Sequence, residues 1–176
     1  DICLFPDYNA ECPDSDEMED RMETLITGQL AAFNQLYKEI DQIYHEYAKS
    51  KNISDAALWL LYSLYESNVP YTQREFCALW HCPPQTINSA LKNLEKQGLI
   101  QLDPISGNKK NKLVVLTEKG TELTQRVITV LVLAEQRAIR GLAKEERDQL
   151  LSLTRKYVEL LQTEVNKISD PSSEGS

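Results

Sequence analysis

The chain has 176 residues, 41% of them hydrophobic, and a formal net charge of −8. That length supports one proper core, and the acidity argues against a protein that coats polyanions without selection. The charge is uneven, however: residues 1–69 carry 4 basic and 14 acidic side chains, residues 120–176 carry 8 and 9, and residues 70–119 carry 7 and 4, the only basic block.

Residues 1–18, "DICLFPDYNAECPDSDEM", are acidic, proline-broken and aperiodic, and read as a disordered arm. From Glu19 the pattern changes. Ile26, Leu30, Phe33, Tyr37, Ile40, Tyr44 and Tyr47 alternate steps of four and three, an apolar stripe on one long helix within 19–53. Ser54 can cap a second helix, "DAALWLLYSLYES", which is apolar on most sides and so predicted buried. Thr72 and Glu75 have capping-box spacing and open a short helix with Phe76 and Leu79 facing inward.

His81 and Cys82 form a turn, and Pro84 opens the next helix, where its missing N–H had no intrahelical partner anyway. Ile87, Ala90, Leu91 and Leu94 make one apolar stripe, and Gly98 ends the helix. Two short strands, Leu99 to Asp103 and Lys112 to Thr117, flank the turn "PISGNKKN". Thr117 caps a helix running to about Arg140, with Leu123, Val127, Val130 and Ala134 in register. Gly141 breaks it before a last helix from about Lys144 to Lys167, with Leu150, Leu153, Tyr157, Leu160 and Leu161 apolar. Residues 168–176 read as a disordered tail.

Helix, helix, turn, helix and a two-stranded β wing is the order of a winged helix-turn-helix. The predicted class is therefore mainly α, with a DNA-binding lobe over 54–119 between dimerisation helices at 19–53 and 120–167. A helix of roughly 30 residues spans about 45 Å, more than a compact domain of this size needs, so the first and last helices are expected to pack against a second subunit.

The segments "QTINSALKNLEKQGLI" and "LVVLTEKGTEL", with "YTQREFCALW" before them and "GLAKEERDQLLSL" after, resemble the MarR family of bacterial transcriptional regulators. The resemblance covers about Leu25 to Val165. It implies a homodimer that places one winged lobe in each of two successive major grooves of a pseudo-palindromic operator. A repressor whose dimer geometry shifts on binding a small ligand is the function it suggests.

The residues themselves fit that expectation. Opposite its apolar stripe, the presumed recognition helix shows Gln85, Thr86, Asn88, Ser89, Lys92 and Asn93, with no acid until Glu95. Amide side chains can bond an adenine edge with two hydrogen bonds, and hydroxyls donate or accept at several bases. Thr72, Gln73 and Pro84 complete the expected contact set on the two helices. Pro83 stands where the family usually has a capping serine or aspartate. It leaves the first-turn donors for water or a phosphate, although a plain rigid turn fits equally well.

The wing departs from the family, many of whose members carry an Asp-x-Arg motif there. This chain has Asn108, Lys109 and Lys110, followed by Lys112. Lysine lacks the planar fork of arginine, so these side chains should grip phosphates and add salt dependence rather than read sequence.

Cys77 and Cys82 are expected to be buried, and Cys3 and Cys12 lie in the arm. Four cysteines in a chain of this length are no disulfide framework. The resemblance suggests an effector pocket for a small lipophilic or phenolic compound, with Tyr44, Trp59 and Tyr62 as its lining. No metal site, cofactor, nucleophile elbow or phosphate loop is visible, so no enzyme is expected. The first residues lack a basic segment followed by an apolar one, and no apolar run spans a bilayer, so the reading is cytoplasmic with no membrane partner. The competing function is a winged-helix protein-interaction module that does not read DNA, which the charge of −8 would suit.

Overall fold

The computed structural model describes residues 15–67, 69–105 and 108–169, with the backbone alone at 15–18 and 108–111. Most of the expected arm and tail, including Cys3 and Cys12, lies outside the described residues. The chain divides into two compact units, residues 1–58 and 59–176.

In the first unit, helix α1 covers Ser15–Ser50. It starts ahead of Glu19, so residues 15–18 of the expected arm have a helical backbone. Its end is set by Asn52 in the left-handed region (φ 56°). The Ile53 amide donates to Ala48 O (3.1 Å) and the Asn52 amide to Lys49 O (3.0 Å), the two bonds that close a Schellman motif. Ser54 Oγ then accepts from the Ala57 amide at 3.2 Å and caps α2, Asp55–Glu66. Across this corner His45 Nδ1 lies 3.0 Å from Asp55, which holds the imidazole pKa above its ordinary value. The stripe on α1 is exposed from Ile26 to Ile40 (Tyr37 is 69% accessible and Ile26 56%), while Tyr44 and Tyr47 are half-buried.

The second unit takes α2 from Trp59 onward and adds β1 (Tyr71–Thr72), α3 (Gln73–Trp80), α4 (Pro84–Lys96), β2 (Ile100–Ile105), β3 (Asn108–Leu116), α5 (Glu118–Thr124), α6 (Val130–Arg140) and α7 (Lys144–Ser169). The sheet is three-stranded and antiparallel in the order β1-β3-β2. The expected two-stranded wing thus gains β1, which pairs Tyr71 with Val114 and Thr72 with Leu113. Two residues carry no periodicity of their own, so nothing local announces this strand. Pro104 is tolerated because β2 is an edge strand. The strands also run further into the predicted turn than expected, with a register shift between Pro104 and Ile105.

The core of this unit holds Leu60, Leu61, Phe76, Ile87, Leu91, Leu94, Ile100, Val114, Val127 and Ile128. Three inward assignments fail. Leu79 is 48% exposed, because α3 turns Trp80 inward instead. The Trp80 ring lies 5.2 Å from that of Trp59, and its Nε1 donates to Ser63 Oγ at 2.6 Å. Val130 and Ala134 are also exposed, and Leu131 takes the inward place. The cause is a π-helical turn at Gln125–Thr129, between α5 and α6, which shifts the apolar stripe by one residue. On α7, Leu150, Leu153, Leu160 and Leu161 are all exposed. Among the described residues no helix is long and apolar enough to cross a membrane.

Candidate nucleic-acid interface

Helices α3 and α4 pack on each other and on the sheet. At the start of α3 the Glu75 amide donates to Thr72 Oγ1 (3.3 Å) and the Thr72 amide to a Glu75 carboxylate oxygen (2.6 Å). The Thr72 backbone donor holds the Glu75 carboxyl below its ordinary range. The Gln73 side-chain amide donates to Pro84 O at 3.2 Å and ties α3 to the start of α4. Thr72 and Gln73 therefore both serve the framework of the two helices.

Helix α4 starts on Pro83 with no side-chain cap, and Pro84 occupies its first turn. Ile87, Ala90, Leu91 and Leu94 are all buried, which fixes the rotation of the helix. Gln85, Thr86, Ser89, Lys92, Asn93 and Lys96 consequently face solvent, while Asn88 is half-buried. Gly98 (φ 70°) closes the helix: its amide donates to Glu95 O (2.9 Å) and the Leu99 amide to Leu94 O (2.9 Å).

A groove of about 490 Å³ runs between α3, α4 and the sheet. Arg74, Asn88, Lys92 and Lys112 line it together with one carboxylate, Glu95, above Leu91 and Val114. The groove brings together Thr72, Gln73, Pro84, Asn88, Lys92 and Lys112 of the expected contact residues, and Gln85, Thr86, Ser89 and Asn93 lie outside its lining. Arg74 was missed by the sequence reading; its only signal was its place in the basic block beside Gln73. Lys112 is exposed at this groove. Lys109 and Lys110 lie on the β3 backbone, and their side chains fall outside the described residues.

The three aromatics expected to line an effector pocket are divided. Tyr44 belongs to α1 in the first unit, Trp59 and Tyr62 to the second. The Trp59 and Tyr62 rings lie 5.8 Å apart, and the Tyr62 hydroxyl donates to a Glu135 carboxylate oxygen at 2.7 Å. Cys77 and Cys82 are half-buried rather than fully buried, and Cys77 borders the groove, which opens the short helix to solvent on that side.

No protein-family model and no curated protein matches this chain. Solved structures do. A protein from Listeria monocytogenes, described as a MarR family transcriptional regulator and complexed with 26mer DNA, is 25% identical; the match covers 84% of this chain and 97% of that one, with a TM-score of 0.63. MepR of S. aureus in a DNA complex is 22% identical over 74% of this chain and 96% of its own, with a TM-score of 0.63. MarR of Staphylococcus aureus, in complex with salicylate and kanamycin, is 20% identical over 82% and 97%, with a TM-score of 0.64.

Proposed function

We propose, on the premise that this chain has the winged-helix fold of the MarR family, that it is a sequence-specific, dimeric DNA-binding transcriptional regulator. The observation that carries this reading is the solvent-facing side of α4. Gln85, Thr86, Ser89, Lys92 and Asn93 stand exposed together, with Asn88 at their edge, in the one basic block of an acidic chain. Amides and hydroxyls on a helix of this kind suit the base edges of a major groove. Arg74, Lys92 and Lys112 beside them suit phosphates, which position the helix without reading sequence. Two neighbours of this fold are DNA complexes.

The dimer is supported by apolar side chains that each unit leaves exposed. On α1 these include Leu25, Ile26, Leu30 and Ile40; on α7 they include Leu150, Leu153, Leu160 and Leu161. Faces this apolar are covered in a soluble assembly, and a second copy of this chain is the partner proposed for each. The two α4 helices would then meet one duplex about 34–36 Å apart, one helical turn. Repression, relieved by a small ligand, is the mode of action proposed, since a neighbour of this fold was solved with salicylate. Protein contact without DNA reading is the competing outcome.

The test is selection of bound fragments from a random or genomic DNA pool by the full chain at low salt. A recovered palindromic motif with half-sites one turn apart supports the regulator. A pool without enrichment overturns it and leaves the interaction module.

A further inference from the structure

The sequence places Lys119 where local rules disfavour it. It sits in the first turn of α5, two residues after the cap Thr117, at the positive end of the helix dipole. Glu118 beside it obeys the rule; Lys119 breaks it. Such conflicts between local preference and the fold mark positions held for another reason.

The reason lies across the chain, at the end of α4. Lys119 Nζ donates to Gln97 O at 2.7 Å, a C-terminal carbonyl at the negative end of α4. Thr117 Oγ1 donates to Gly98 O at 2.7 Å while accepting from the Gly120 amide at 3.0 Å. The Thr117 amide donates to Leu99 O at 3.1 Å. Gly120 permits this approach, since a Cβ there would overlap the Leu99 carbonyl oxygen. At the other end of α4, Gln73 holds Pro84 O. The helix is therefore pinned at both ends by side chains from neighbouring elements, and its C-terminal pin carries a full charge.

We infer that Lys119 is a positioning residue for base recognition: its bond to the end of α4 fixes how the exposed face of that helix is presented to DNA. The inference rests on the reading of α4 as the DNA-reading helix. Lys119 itself need touch neither base nor phosphate. Loosening the pin blurs the placement on which base contacts depend, whereas phosphate attraction tolerates small shifts.

This separates positioning from a plain phosphate contact, the other use of an exposed lysine. The full chain, its Lys119→Met variant and its Lys119→Arg variant are titrated at several salt concentrations. The two probes are the duplex that the wild-type protein selects and a scrambled duplex of equal length and composition. Lys119→Met should bind the selected duplex roughly three- to tenfold more weakly. Its affinity for the scrambled duplex and its salt slope should not change. Lys119→Arg can still donate to Gln97 O and should restore selectivity. If Lys119→Met weakens both duplexes equally and lowers the salt slope by about 0.9, Lys119 is a phosphate contact and the inference falls alone. It also falls alone if selectivity is unmoved. A wild-type protein that selects no motif overturns the DNA-reading function, and the pin with it.

Discussion

Helix α3 begins with its orphan donors satisfied: Thr72 and Glu75 exchange two hydrogen bonds, and the Tyr71 ring lies 5.0 Å from that of the buried Phe76. Helix α4, only a short turn later, begins on Pro83 with no side-chain cap. Its far end is treated the opposite way, with a Schellman closure plus bonds from Thr117 and Lys119. The sealed helix is the support. The helix left open at its start carries the exposed polar face, and it is held from behind and from its C-terminal end. A side-chain cap is thus absent at the start of α4, the helix whose exposed face is the proposed DNA-reading surface.

The sharpest way to break this contrast is to remove the support. Phe76 is fully buried, so Phe76→Ala should cost about 3–5 kcal/mol of stability, read from denaturant midpoints. A loss under about 1 kcal/mol would mean that α3 is not the support. On α4 the expectation reverses. Asn88→Ala should leave thermal unfolding nearly unchanged, yet remove about 1–3 kcal/mol of discrimination between the selected site and single-base variants of it. Equal selectivity in the variant would show that this face does not read bases.

The smallest effects come from exchanging the caps themselves. Thr72→Ala should destabilise by about 1 kcal/mol. Pro83→Asp supplies a cap and should leave stability equal or slightly raised, while weakening DNA binding through added negative charge. Unchanged affinity in Pro83→Asp would reduce Pro83 to a rigid turn.

Much of this architecture was legible in the sequence, and the reason is that its signals are local. The Thr72–Glu75 box, the stripe of Ile87, Ala90, Leu91 and Leu94, and the stop at Gly98 all act within one or two turns of helix. The failures are equally specific. Strand β1 exists only because Tyr71 and Thr72 find Val114 and Leu113 some forty residues away. The sequence puts Leu79 inside α3, and the Trp59 ring and the Ser63 hydroxyl draw Trp80 inward instead. Arg74 and Lys119 look like ordinary surface charges until their surroundings are known.

The sequence by itself determined which segments are helices, where α4 starts and stops, and which of its sides is apolar, because backbone capping and side-chain periodicity are properties of neighbouring residues. Only the tertiary structure decided the one-residue offset introduced by the π turn at Gln125–Thr129, the third strand, and the bond from Lys119 to Gln97 O. The third strand and the Lys119 bond join elements distant in the chain, and the π turn offsets the apolar side of α6 from that of α5. Their geometry follows from packing against one another, which no local pattern of residues encodes.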